Sequence, residues 1–311
     1  MSPTDAVRSQ AKLEARHRLQ GIWAATLTPF AADGSLDLDG WRANLRHWYG
    51  ELGIRGLFVN GKQGEFASMM GPLVGALVPA MEIQGLPFAF ERSAEAHAAL
   101  DGALGNFLRG EMKARGVYLL PYGALENGFR HICSVTKTVR RPEDLAGYRM
   151  RVPAGKILAE LFEALGATPV VVNIDGLHEA LREGKVDGHE NPLAIVEVNR
   201  LHDASSHIAL TSHVWSGFNL IANLGFWSSL AETEQAAVHA AARRHVARQR
   251  DYTLELNQAL TRGLEAKGVR IEAVDRQAFR DRLGRAFHAR WRERCGTAAW
   301  RLLQEAVGRL D

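Results

Sequence analysis

The chain has 311 residues, 46% of them hydrophobic and 23% charged, with a formal net charge of +3. That is a globular composition long enough for two domains. The charge is mild and scattered, no DNA- or RNA-binding motif accompanies it, and no apolar run reaches the roughly 18 residues that span a bilayer, so nucleic-acid binding and membrane insertion are not expected.

Residues 1–19 read as a polar arm or charged helix. They lack an apolar core and a small-residue cleavage pattern, so the arm does not read as a secretory leader, and the sequence as written predicts a cytoplasmic location. Gly21 to Thr28 is a strand-like run that ends at Pro29-Phe30, and Ala32-Asp33-Gly34 has turn chemistry. Asp37 or Asp39 caps a predicted amphipathic helix from Trp41 to Gly50. Leu57-Phe58-Val59 is the next strand, followed by the Gly-rich loop Asn60 to Glu65. Together these form one βαβ unit. Gly116 to Leu120 is a further strand. Arg243 to Arg250 is the densest basic run, and its helical pattern reads as a solvated face.

Gly147 to Ala194 carries the clearest grammar: strand, helix, strand, helix, strand, as in a parallel α/β layer. Tyr148 to Val152 ends at Pro153. Ile157 to Leu165 has helical apolar spacing, with Gly166 as its stop. Val170 to Val172 is β-branched, Asp175 can cap a helix to Glu183, and Val186 to Gly188 is the third strand. Arg149 and Arg151 alternate with Tyr148, Met150 and Val152, which puts both arginines on one strand face, Arg151 nearer the carboxyl end. An arginine buried alone costs several kcal/mol, so each is expected to be solvated or paired. Polar residues gather again at His189 to Pro192. Ligands of open parallel sheets sit at strand ends near a topological switch point. An arginine from one strand and an asparagine from a neighbouring loop are thereby placed to converge on a small anion. Cys133 and Cys295 are the only cysteines, without metal or framework spacing; free thiols or one bridge remain open. His202, His207 and His213 lack metal-ligand spacing, so neither metal nor cofactor is expected.

Two resemblances follow from these motifs. Residues 20–69, through TPFAADGSLDLDGW and GIRGLFVNGKQGEFAS, resemble the opening of the dihydrodipicolinate synthase / N-acetylneuraminate lyase family of barrel aldolases. Lys62-Gln63 replace that family's usual threonine or serine pair, and its Schiff-base lysine and catalytic tyrosine have no counterpart. Residues 71–311 resemble the solute-binding subunit of TRAP transporters, the family that captures C4-dicarboxylates, sialic acid and related organic acids. The matching segments, in order, are Leu86 to Phe90 within VPAMEIQGLPFAFERSAEAHAALDG, Gly128-Phe129-Arg130, RPEDLAG, Arg151-Val152-Pro153 and VDGHENP, where the family usually has glutamine in place of His189.

The second resemblance implies a two-lobed α/β fold of periplasmic-binding-protein type, with a long interdomain helix over about 231–265. Its first lobe would be built from 71–127 and 216–256 and its second from 128–215 and 257–311, with the aldolase-like unit taking the place of the first lobe's opening. It implies a clamp in which Arg151 grips a ligand carboxylate through its planar fork. Arg130 would line the cleft or steady Arg151, Asn191 would contact the ligand, Trp215 would wall the pocket, and Glu190 would support from behind. The implied partners are a small organic acid and, if the protein is exported, TRAP membrane subunits. Two alternatives stand beside this: a Schiff-base pyruvate lyase and a non-functional fusion product.

Overall fold

A computed structural model describes residues 22–25, 54–58, 66–308 and 310. Strands β1 (Ile22–Ala25) and β2 (Ile54–Phe58) pair in parallel as a two-stranded sheet. The expected helix Trp41–Gly50 and the loop Asn60 to Glu65 lie outside the described residues. Strand β3 (Phe66–Met70) closes the segment read as aldolase-like, yet it belongs by pairing to the main seven-stranded sheet, ordered β3, β8 (His207–Asn223), β4 (Val117–Ser134), β7 (Gly188–Asn191), β5 (Arg149–Val152) and β6 (Thr168–Val171), with β9 (Arg270–Ala273) also on β8.

Two long antiparallel strands hold this sheet together: β4 (Val117–Ser134) and β8 (His207–Asn223), of 18 and 17 residues. At about 3.3 Å per residue each is roughly 55–60 Å long. At one end, β3 adds to β8 through Phe66↔Ala222 to Met70↔Phe218. At the other, β7 (Gly188–Asn191) adds to β4, and β9 (Arg270–Ala273) adds to β8. The result is two lobes on one shared ribbon. The register of β4 on β8 breaks between Leu119 and Ala124, Glu126 and Gly128, and Arg130 and Ile132, so the ribbon bends where the lobes meet.

The second lobe follows the sequence grammar. β5 (Arg149–Val152) pairs in parallel with both β6 (Thr168–Val171) and β7. Helix α4 (Lys156–Ala164), preceded by α1 (Gly71–Val74), α2 (Ser93–Asp101) and α3 (Ala103–Lys113), buries Ile157, Leu158, Leu161 and Phe162 as one apolar stripe. It stops at Gly166, whose φ of +94° suits only glycine. Helix α5 (Ile174–Arg182) starts before Asp175, so the expected cap falls inside its first turn. Short α6 (Leu193–Val198) and α7 (Leu224–Ser229) lead to α8 (Glu232–Glu265), a helix of 34 residues, about 51 Å long. The Glu234 carboxylate caps it by accepting the Ala231 N–H at 2.8 Å.

Helix α8 touches both lobes. Arg250 donates to the Ala124 carbonyl at 2.8 Å and pairs with Asp101 at 2.6 Å, while Asn257 accepts the Ala194 N–H at 3.2 Å. Helices α9 (Arg276–Cys295) and α10 (Thr297–Val307) finish the chain. Their Phe279, Trp291 and Leu303 join Met81, Phe90, Met112, Met150 and Phe162 in one core that reaches from lobe to lobe. A second core around Leu177, Leu181, Val196, Ile208 and Leu264 lies under the far end of the sheet. Cys133 and Cys295 are both buried, free thiols.

Strand β7 departs from expectation. The sequence ends its third strand at Gly188 and gives the polar run that follows to a loop; the structure starts the strand there and buries every residue to Asn191. The ladder with β4 supplies the backbone partners, His131↔Asn191 to Ser134↔Gly188. The approach is close: a Cβ on Gly188 would lie 2.5 Å from the Cys133 carbonyl oxygen. Gly188→Ala is therefore expected to destabilise the fold by about 1–3 kcal/mol, because backbone rather than a flexible side chain must give way. Urea unfolding measures this, and a midpoint equal to wild type would refute it.

Candidate functional site

The carboxyl ends of β5 and β7 and the middle of β4 bring together four of the five residues expected at a site. Arg130, Arg151, Glu190 and Asn191 are each at most 3% exposed. Arg130 on β4 and Glu190 on β7 form a buried two-pronged ion pair, Nε to Oε2 and Nη2 to Oε1, the latter at 2.6 Å. Arg130 Nη2 also donates to the Glu190 carbonyl at 2.7 Å and to Asn191 Oδ1 at 3.2 Å, and Nη1 reaches Ser216 Oγ at 3.4 Å. Burial alone would raise the Glu190 pKa. The Arg130 guanidinium and hydrogen bonds from His213 and Arg130 instead hold it at about 2.

Arg151 contrasts with this. Its Nε donates to the Val172 carbonyl at 2.8 Å. Among the described residues no carboxylate stands within ion-pair distance of it, although it is 2% exposed. Burial lowers its pKa to about 10, with Glu190 partly opposing the shift and Arg130 adding to it. It stays charged at neutral pH. Arg149, on the same strand face, sits at the open end of the strand and pairs with Asp187 at 2.5 Å, with nearly half of its side chain exposed. One face thus holds a surface ion pair at one end and a buried cation at the other.

Three buried histidines surround the arginines. His213 donates from Nε2 toward Glu190 Oε2 at 3.3 Å, and its Nδ1 accepts from Thr211 at 2.7 Å. His131 accepts the Ser212 N–H on Nδ1 at 3.2 Å, which leaves its proton on Nε2. His189 lies opposite Arg151 in the β5–β7 register and contacts Asn191 and Ser205. Burial holds the pKa of His131 and of His189 at about 3, helped by His213 in the first case and Arg151 in the second. Burial also lowers that of His213. All three rings are neutral at pH 7. Two guanidiniums less one carboxylate leave one uncompensated positive charge in this buried cluster.

Trp215 stands apart from that cluster. It is 2% exposed, its indole N–H donates to both Glu126 oxygens at 2.9 and 3.1 Å, and its ring meets Phe90 and His97 edge-on. His97 Nε2 also lies 2.8 Å from Glu126 Oε2, close but out of hydrogen-bond alignment. Gln249 of α8 brackets the Glu126 backbone, accepting its N–H at 2.9 Å and donating to its carbonyl at 2.6 Å. This second cluster ties the bend of the ribbon to the long helix. Among the described residues there is no group of three or more His, Cys, Asp or Glu able to hold a metal ion, and no helix is long and apolar enough to cross a membrane. Sequence reasoning assigned no site role to His189, His213, Ser205 or Glu126. Alternation along β7, once it is placed at Gly188–Asn191, would have set His189 and Asn191 on one face.

Residues 58–293 match the model of a family described as bacterial extracellular solute-binding protein, family 7. An uncharacterised protein of Sinorhizobium fredii is 32% identical over 66% of this chain and 37% of its own length. The 2,3-diketo-L-gulonate-binding periplasmic protein of Escherichia coli is 29% identical over 67% of this chain and 63% of its own. The chain thus spans less than two thirds of either relative. A crystal structure of a TRAP periplasmic solute-binding protein from Polaromonas sp. JS666, bound to D-erythronate, superposes with a TM-score of 0.72 at 27% identity, covering 77% of this chain and 79% of that one. The aldolase-like reading of residues 20–69 is not supported: the family match begins at residue 58, inside that segment, and β3 pairs into the main sheet.

The neutral histidines fix a pH dependence. In the unfolded chain His131 and His189 protonate near pH 6.5; in the fold each resists to about pH 3. Unfolding therefore takes up protons between those values. The stability carried by the neutral rings is complete above about pH 6.5 and is lost as the pH falls toward 3. Glu190 adds to the loss below its ordinary 4.5, down to about 2. Urea unfolding from pH 7 to pH 4.5 is expected to show stability falling with a slope of at least about two protons from His131 and His189, to which His213 adds, reduced by about one in His131→Gln or His189→Gln. A flat profile would contradict the buried neutral state.

Proposed function

The chain belongs to bacterial extracellular solute-binding protein family 7, and we propose that it captures a small organic acid, a sugar acid or dicarboxylate, in the cleft beside Arg151 and delivers it to TRAP membrane subunits. One observation carries this reading. The buried cluster holds one positive charge more than its own carboxylate neutralises, and Arg151 is the cation that no described carboxylate pairs. An unpaired buried cation costs several kcal/mol, a cost that only an arriving anion offsets. The guanidinium fork matches a carboxylate with two parallel hydrogen bonds, worth more in a closed cleft than in water.

Arg130 takes a different part. Glu190 occupies its fork, so it acts by holding Asn191 and by adding positive potential behind Arg151. Asn191 offers an amide N–H at the carboxyl end of β7. Trp215, with its indole committed to Glu126, belongs to the ribbon's bend. The lobes meet there as residues 71–127 with 216–256 and residues 128–215 with 257–311, and β3 extends the first of them. The chemistry of the relatives' ligands points the same way, since D-erythronate and 2,3-diketo-L-gulonate are both sugar acids. The family's extracellular description replaces the cytoplasmic expectation drawn from residues 1–19. The pyruvate-lyase and inert-fusion alternatives are not favoured: the named relatives are solute-binding proteins, and among the described residues no lysine stands in the buried cluster.

Thermal shift with D-erythronate, galactonate and C4-dicarboxylates tests the reading. An acid at a hundred times its Kd stabilises by about 2.7 kcal/mol, a rise of roughly 4 °C for a chain of this size. Arg151→Met is expected to abolish the shift while leaving the unliganded protein as stable as wild type or about 1–3 kcal/mol more so, because it removes an unpaired buried charge. Folded wild-type protein that responds to none of these acids would sink the proposal, as would an Arg151→Met variant that still responds.

A further inference from the structure

The hydrogen bonds around Asn191 run in one direction only. Arg130 can only donate, so the Asn191 atom 3.2 Å from its Nη2 must be Oδ1. The amide nitrogen then faces His189 Nδ1 at 3.0 Å, and that ring nitrogen must be the acceptor. The ring proton therefore sits on Nε2, which donates to Ser205 Oγ at 2.9 Å, and Ser205 in turn donates to the Leu201 carbonyl at 2.9 Å. His189 and Ser205 are at most 1% exposed, so water does not compete for these groups. The chain of donors leaves one hydrogen on the Asn191 amide nitrogen. Arg151 is the register partner of His189, so this hydrogen is offered on the strand next to the uncompensated guanidinium.

We infer that His189 is a positioning residue for ligand capture, acting through Asn191: its neutral Nε2–H tautomer locks the amide so that its free N–H meets an oxygen of the acid gripped by Arg151. The inference rests on the carboxylate-binding reading above. Without the acceptor at Nδ1 the amide is held only by the 3.2 Å contact from Arg130 and swings more freely. It then presents its carbonyl oxygen toward the incoming anion for part of the time, which repels the anion. The burial that keeps the ring neutral serves the same end, since a protonated His189 would turn a second N–H on the amide and set another cation beside Arg151.

Calorimetric titration of the full chain with D-erythronate and with galactonate tests it, using His189→Ala, Asn191→Ala, the double variant and His189→Asn. His189→Ala is expected to weaken binding about tenfold, on the scale of one hydrogen bond. The same change in the Asn191→Ala background should cost less than about twofold, because the amide it positions is gone. His189→Asn puts an amide oxygen near the place of Nδ1, and is expected to recover binding to within about threefold of wild type. Its smaller disturbance of the buried site keeps the test open if the alanine variant folds poorly. Losses that add in the double variant, or no rescue by His189→Asn, would overturn the positioning role while leaving the Arg151 reading intact. Wild type that binds neither acid would overturn both.

Discussion

Everything at the site depends on the buried ion pair between Arg130 and Glu190. Two arginines within one buried cluster repel each other, and burying either guanidinium alone costs several kcal/mol. Glu190 cancels one of them and, by doing so with both carboxylate oxygens, leaves the other uncompensated. The pair also fixes geometry. The Arg130 guanidinium reaches the Glu190 carbonyl and the Asn191 side chain in the same gesture, so strand β7 cannot shift along β4 without breaking three contacts. His213 and Ser216 complete the pair from β8, which couples it to both of the long strands. The electrostatics of the proposed site are thus set by the protein itself, which would limit the reorganisation needed to bind a carboxylate there.

Much of this was legible in the sequence, and the reason is periodicity. Met150 and Val152 alternate with Arg149 and Arg151, and that alone predicted a strand with both arginines on one face. Gly166 marked the end of its helix, as in the structure, because a left-handed residue admits little else. What did not show was how far that face is covered. Arg149 and Arg151 are equivalent by alternation, but only their places along the strand decide that one is solvated and the other is closed over by neighbouring segments.

Strand β7 was harder for a different reason. His-Glu-Asn has no strand propensity, and a run of three polar residues ordinarily marks a loop. It becomes a strand because each polar side chain finds a buried partner that lies elsewhere in sequence: Ser205 for His189, Arg130 for Glu190, and Arg130 again for Asn191. Such long-range satisfaction carries no local signal. Strand β3 illustrates the converse. Phe66–Met70 was read with the residues before it, whereas its partner is β8, some 150 residues later. Resemblance over a short βαβ segment is a weak guide where the pairing partner lies at the far end of the chain.

The long helix α8 has a mechanical consequence. It is fastened to the first lobe at Gln249 and Arg250 and to the second at Asn257. Only about two turns, on the order of 10 Å of helix, separate the two sets of fasteners. Any rotation of one lobe on the other would have to be taken up in those turns, since slippage at either end would break part-buried hydrogen bonds. An intact α-helix bends and twists elastically over so short a length. Two intact turns held between such fasteners would act as a torsion spring, opposing rotation of one lobe on the other.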